Sequence, residues 1–241
     1  MDLKKILIFI LLISPFLSIA QQETIHHYQK IDNKPFHFGY TLGINTMDFG
    51  IYPSDFAVSE SRQDTFPEIN KLSPGVDISI VTNFRLGEYL DFRFLPGISL
   101  GQRNLTFYRN VNTDTSDAFH EMKIGSTFIN LPFNMRYEAK REGNFRPYLI
   151  GGVNFRWDMA RNKDFNADEG IFIKLEPFDV YVEGGFGIDF YLPYFKFSTE
   201  IKFSVGILNV LSPDKHEREA GYVKSIDELK SRMVSLSFHF E

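Results

Sequence analysis

The chain has 241 residues, no cysteine and a formal net charge of -5, which leaves no disulfide framework, no lipid-modified cysteine behind a leader and no general attraction to nucleic acid. Aromatic residues make up 16%, with 26 Phe and 11 Tyr against one Trp, yet the mean hydropathy is only -0.19. Beyond residue 20 no apolar run reaches the length of about 18 residues that a helical membrane span needs, whereas a transmembrane β-barrel combines an aromatic and aliphatic outer face with a polar interior and so reconciles these values.

Residues 1–20 read as a secretory signal peptide. Lys4 and Lys5 precede the apolar run Ile6 to Leu12, and Ser18-Ile19-Ala20 supplies small residues before Gln21. Ser14, Pro15 and Ser18 interrupt that run, which makes it short for a membrane anchor. Residues 21–35 follow as a polar leader on the periplasmic side. His26 and His27 lie in it without a cysteine or an acid pair to complete a metal-ligand set.

From residue 36 to residue 241 the sequence alternates with a period of two, which places apolar and polar side chains on opposite faces of a strand. The first strand sets Phe36, Phe38, Tyr40, Leu42 and Ile44 against His37, Thr41 and Asn45, and a long polar loop, 50–73, follows. The second sets Val76, Ile78, Ile80 and Phe84 against Asp77, Ser79 and Asn83. After a short turn at 86–90, the third sets Leu90, Phe92, Phe94, Ile98 and Leu100 against Asp91, Arg93 and Ser99, and runs into a polar loop around 110–121.

The fourth strand sets Ile129, Leu131, Phe133, Met135 and Tyr137 against Asn130, Asn134 and Arg136, and ends in a charged turn, 140–144. The fifth sets Leu149, Val153, Phe155, Trp157 and Met159 against Arg146, Asn154, Arg156 and Asp158, before a charged loop at 161–176. The sixth sets Phe178, Val180, Val182, Phe186, Ile188 and Phe190 against Asp179, Glu183 and Asp189, and Leu192-Pro193-Tyr194 forms the tightest turn. The seventh sets Phe197, Ile201, Phe203, Val205 and Ile207 against Lys196, Ser198, Glu200, Lys202 and Ser204. A loop at 208–230 leads to the closing strand, where Val234, Leu236, Phe238 and Phe240 alternate with Ser235, Ser237 and His239.

About eight strands joined by long and short connections in alternation predict an all-β fold, an eight-stranded antiparallel transmembrane barrel of the outer-membrane type. Both termini are then periplasmic and the long loops face the cell exterior. Pro96, Pro132 and Pro147 predict bulges or strand ends, because proline cannot donate to a ladder. Phe133, Val182, Phe186, Ile201, Phe203, Leu236, Phe238 and Phe240 are expected to face lipid.

A barrel of this size has an interior just wide enough for side chains or one small ligand. Asp91, Arg93, Arg136, Arg146, Arg156, Asp158, Asp179, Glu183, Asp189, Lys196, Glu200 and Lys202 would point into it. Buried charges need compensation, so this mixed set reads as a pairing network that plugs the lumen rather than a transport or catalytic site. Ser237 and His239 share a face only because they are two apart on one strand, with no third orienting group in the sequence. Glu183-Gly184-Gly185-Phe186-Gly187 lacks the strand-turn-helix context of a phosphate loop, and its glycines are expected to make room inside the barrel. No catalytic residue, cofactor or metal is expected.

Four stretches carry a family resemblance. Arg93-Phe94-Leu95-Pro96-Gly97-Ile98-Ser99, Lys140-Arg141-Glu142-Gly143-Asn144-Phe145-Arg146-Pro147-Tyr148, Phe190-Tyr191-Leu192-Pro193-Tyr194-Phe195-Lys196-Phe197 and the ending Ser231 to Glu241 resemble the PorT family of Bacteroidota. Arg136 and Ala139 depart from the pattern, which has Lys and Ser there. The resemblance implies an integral outer-membrane barrel needed by the type IX secretion system, which exports proteins with a carboxyl-terminal signal domain and, in gliding species, adhesins. Outer-membrane lipid and secretion-system membrane proteins would be its partners. The family supplies no catalytic or ligand residues. Two other classes stay open: a structural or adhesive barrel acting through its exterior loops, and a small-ligand or lipid-modifying barrel. The oligomeric state is open as well.

Overall fold

The structure, a computed structural model, describes residues 34–54, 65–68, 73–109, 119–162, 173–212 and 226–241. The signal peptide and most of the leader, His26 and His27 included, lie outside these residues. Ten strand segments form one antiparallel sheet: β1 (Phe36–Pro53), β2 (Thr65–Glu68), β3 (Ser73–Arg85), β4 (Leu90–Phe94), β5 (Gly97–Arg109), β6 (Phe119–Glu138), β7 (Phe145–Asp158), β8 (Phe178–Tyr191), β9 (Lys196–Gly206) and β10 (Ile226–Phe240). β1 pairs with β10 on one side and with β3 on the other, so the sheet returns to its first strand and closes. β4 and β5 are two halves of one barrel strand, and β2 pairs only with the far end of β5. The closed wall therefore has eight strands, antiparallel throughout.

The β4–β5 break falls at Leu95 and Pro96, and its cause is two prolines in adjacent strands. Leu95 N–H donates to the Pro132 carbonyl at 3.5 Å and Ile80 N–H to the Pro96 carbonyl at 3.0 Å. Neither proline has an N–H to return. Register is nevertheless the same on both sides of the gap, Phe94 opposite Phe133 and Gly97 opposite Asn130. No bulge falls at Pro132, which sits within β6 in unbroken register with β7, whereas Pro147, the third residue of β7, lies just past the last β6–β7 pair, at a ladder end as expected. Each missing donor costs one ladder bond without displacing a side chain. The register irregularity along β1 falls elsewhere, between Tyr52 and Pro53.

Short and long connections alternate. Residues 86–89, 139–144 and 192–195 join strands at one end, where Lys34 and Glu241 also lie. Leu192 N–H closes the last of these turns on the Phe195 carbonyl at 3.0 Å. Gly143 has a φ of 60°, a left-handed conformation that a Cβ would strain. At the other end the strands run further than alternation suggested. Residues 50–53 and 119–121, read as loop from their polarity, are strand.

The reason is a reversal of polarity along the wall. On β1, Phe38, Tyr40, Leu42 and Ile44 are exposed on the outside and His37, Thr41 and Asn45 are buried inside. Past Thr46 the inward residues become Met47 and Phe49, and Tyr52 is outward. β10 reverses at the same level, from outward Val234 and Leu236 to outward Arg232. β6 reverses from Ile129 and Leu131 to Thr127 and Lys123. Inside the extension, Phe49, Leu105, Met122, Ile173, Leu175, Val210, Ile226 and Leu229 form a buried apolar cluster. The roots of two long connections are drawn into it, with Leu175 bridging Leu211 and Val210 N–H bonding the Leu229 carbonyl at 2.9 Å. A sheet whose outside is apolar below this level and polar above it is wet on the outside only above it. A strand needs about 9–11 residues to span a membrane, and β1 and β6, at 18 and 20 residues, supply the surplus.

Substituting Phe203, which is 52% exposed at mid-wall, by Arg should lower stability by about 2–4 kcal/mol in a membrane. Tyr52→Arg, above the reversal, should change it by less than about 1 kcal/mol. Urea titration of the barrel in lipid vesicles reads both, and equal losses at the two positions would contradict the boundary.

Candidate functional site

The lumen is the site, and the inward half of each alternating strand builds it. Asp91, Arg93, Arg136, Arg146, Arg156, Asp158, Asp179, Glu183, Asp189, Lys196 and Glu200 are buried inside the wall, and the Lys202 side chain is 11% exposed there. They group into levels along the axis.

Nearest the short turns, Arg146 pairs with Glu138 at 2.5 Å and Arg136 with Glu138 at 3.2 Å. Arg136 also pairs with Asp189, which accepts the Ser198 hydroxyl at 2.5 Å. Glu241 receives Arg93 at 2.5 Å and Lys196 at 2.8 Å, and Asp91 accepts the Asn83 amide at 2.6 Å. One level deeper, Glu200 accepts the Tyr148 hydroxyl at 2.9 Å and faces His239 at 3.4 Å. Glu183 gathers Arg156 at 3.0 Å, Lys202 at 3.2 Å, Asn154 at 2.8 Å and Ser204 at 3.1 Å. Below the apolar cluster, Arg103 pairs with Asp158 at 2.9 Å and donates to Ser126 at 2.6 Å. Asp179 accepts the backbone N–H groups of Val180 at 2.8 Å and Leu208 at 3.3 Å.

Four of these arginines also lie over inward aromatic rings: Arg136 at 3.6 Å and Arg93 at 5.9 Å from the Tyr148 centroid, Arg156 at 4.1 Å from Tyr181, and Arg103 at 4.5 Å from Phe49 and 5.1 Å from Phe128. Guanidinium planes suit this sandwiching between a ring and a carboxylate. Glycines make the space. A Cβ on Gly187 would run into the Tyr148 ring and one on Gly152 into Asn134. The segment from Glu183 to Gly187 is accordingly part of β8, with Gly187 giving room inside the barrel.

Alternation identified most of this set and missed Arg103, Glu138, Tyr148, Tyr181 and Glu241. Glu138 and Arg103 share the inward parity of Arg136 and Ser99, and extending each strand by a few residues would have found them. His239 bonds Thr41, at 2.7 Å, rather than its strand neighbour Ser237. The hydroxyl, imidazole and carboxylate of Thr41, His239 and Glu200 therefore link β1, β10 and β9. His239 lines a polar cavity of about 30 Å³ with Thr41, Asp77, Ser99, Asn130 and Lys202. That is space for about two water molecules, against the roughly 300–1,000 Å³ of a small-molecule site. Among the described residues no group of three or more His, Cys, Asp or Glu side chains could hold a metal ion.

A closed antiparallel barrel, apolar outside and ion-paired inside, agrees with the sequence comparison. A profile described as "Outer membrane protein beta-barrel domain" matches residues 19–212. The chain belongs to this family. Its members are barrels of the outer membrane, and association with outer-membrane lipid follows from membership. Among solved structures, the outer membrane protein OprG from Pseudomonas aeruginosa is similar at 10% identity with a TM-score of 0.43, over 84% of this chain and 92% of that chain. No curated protein matches the sequence.

Asp189→Asn removes one of the two carboxylates that hold buried Arg136, with Glu138 remaining, and should cost about 1–3 kcal/mol. Gly187→Ala forces Tyr148 off Glu200 and should cost about 1–3 kcal/mol. Denaturant titration of the refolded barrel checks both, and a neutral Asp189→Asn would contradict the pairing.

Proposed function

We propose that this outer-membrane barrel is a non-enzymatic, closed accessory of the type IX protein secretion system, working on partner membrane proteins through its ends and not by passing cargo. The observation that carries the reading is the filled lumen: buried ion pairs and inward rings occupy it near the short turns and beneath the apolar cluster, and the polar cavity between them has room for about two water molecules. Folded cargo has no path through such an interior. The link to secretion rests on the resemblance to the PorT family. Three of its four stretches lie at or reach the short-turn end: the turn 139–144, the turn 192–195 and the end of β10. The fourth covers the β4–β5 break.

In this reading residues 1–20 are removed, residues 21–35 remain in the periplasm, and the short turns and both ends of the barrel face the same way, since short turns are periplasmic in such barrels. Phe133, Val182, Phe186, Ile201, Phe203, Leu236, Phe238 and Phe240 contact lipid. Phe133, Val182, Phe186, Phe203 and Leu236 are exposed on the outer face, while Ile201, Phe238 and Phe240 are half-buried in it, the last two against Phe197 and Tyr40.

A second reading, a structural or adhesive barrel acting through exterior connections, draws support from the apolar cluster. Ile173, Leu175 and Val210 anchor the roots of two long connections, which gives those connections a rigid base. A lipid-modifying or ligand-binding role finds less support, because the polar cavity has room for about two waters.

A strain lacking the gene should accumulate unprocessed signal-bearing cargo in the periplasm and release it to the surface and medium on complementation. Normal export in that strain would overturn the secretion reading. Loss of surface binding on shortening the exterior connections, with export intact, would establish the second.

A further inference from the structure

The first and last strands of a barrel meet at a seam that no turn fixes, so its register must be set by side chains. Here the seam is β1 against β10, and most of its inward positions are small or adaptable: Gly43 faces Ser237 and Asn45 faces Ser235. Its outward face is a run of interchangeable apolar residues, with Leu42 opposite Phe238 and Ile44 opposite Leu236. Apart from the Thr41–His239 bond at 2.7 Å and the outward switch at Asp48 and Arg232, these pairs do little to distinguish the native register from a slip of two residues, which keeps every side chain on its own side of the wall.

Glu241 does distinguish them. Its backbone pairs with Lys196 in both directions, at 2.8 and 2.9 Å. Its side chain turns inward over Gly39, where a Cβ would meet Glu241 Cγ, reaches across the lumen to Arg93 of β4 at 2.5 Å, and is held from the neighbouring strand by Lys196 of β9 at 2.8 Å. The side chains of Arg93 and Glu241 are both 0% exposed. A slip of two residues at the seam moves Glu241 by about 6–7 Å relative to β4, while Lys196 on the neighbouring strand moves with it, so the Arg93 contact breaks and Arg93 is left buried without its carboxylate.

We propose that Glu241, clamped between Arg93 and Lys196, is the register key that fixes the closing strand against the first. Buried ion pairs are well suited to this role, because their geometry is exacting and the cost of breaking one is large even where the net stabilisation is small. Other buried pairs of the lumen, such as Arg136 with Asp189, join β6 to β8, strands that do not meet at the seam.

The absence of cysteine from the chain makes the test direct. Gly43→Cys with Ser237→Cys reports the native register, since Ser237 Oγ lies 3.2 Å from where a Cβ on Gly43 would sit. Gly43→Cys with Ser235→Cys reports the slipped one. Each pair is refolded into vesicles and oxidised. The native pair should cross-link and the slipped pair should not. Glu241→Gln should raise the slipped-to-native ratio by about tenfold or more, the scale of one lost charge-assisted hydrogen bond. Asp189→Asn should lower stability without raising that ratio.

Native-only cross-linking in Glu241→Gln, or an equal slip in Asp189→Asn, would overturn the proposal. Should Glu241→Gln fail to assemble, Glu241→Asp keeps the charge one methylene short and gives the same readout: a raised ratio supports the key, and an unchanged one overturns it.

Discussion

Every feature of this molecule depends on a hydrogen-bonded ladder that has to close on itself. In a membrane no water satisfies an open strand edge, and an unpaired backbone group costs several kcal/mol. β1 meets both β3 and β10, and that closure fixes the rest. The wall tolerates Pro96 and Pro132 because they fall in adjacent strands, where each withholds one bond and neither shifts the register. Closure also fixes the parity of every side chain, so a residue's chemistry is decided by whether its number is odd or even within its strand.

Closure at eight strands has a second consequence, the width of the interior. A lumen of this size can be filled from its own wall, and in this chain it is filled by charge. Paired guanidinium and carboxylate groups, with an aromatic ring under several of the guanidinium groups, meet the requirement that buried charge be compensated. Such a network adds little net stability compared with an apolar filling, but each of its pairs is strict about position. Apolar filling is used as well, at the end with long connections, where the outer face turns polar and the extension has the inside-out pattern of a soluble sheet. The membrane boundary is therefore written into both faces of the same strands.

How much of this the sequence reveals follows from which physical signal each part leaves. The strands of the lipid-spanning zone announce themselves, because a period of two in Phe38 to Ile44 or Phe197 to Val205 has no other reading once a face is apolar. The extensions of β1, β5 and β6 do not. There the polar face turns outward, so Asp48, Lys123 and their neighbours look like loop, and the inward Phe49, Leu105 and Met122 are too few per strand to signal alternation. Parity placed Asp189 and Arg136 inside, but which acid each arginine meets depends on cross-lumen distance, which alternation does not encode. Glu138 and Glu241 were missed because each stands at the end of a strand. The pairing of His239 with Thr41 was out of reach for the same reason that the seam is, since it joins residues 198 positions apart.

The central claim is that the interior is closed along its length by paired charge and an apolar cluster. Electrical recording of the purified barrel in a planar lipid bilayer tests it most directly, at both polarities and across a range of salt concentrations. A closed interior predicts a baseline without discrete steps. A steady, salt-dependent open level would show a continuous aqueous path through the lumen and would contradict the account.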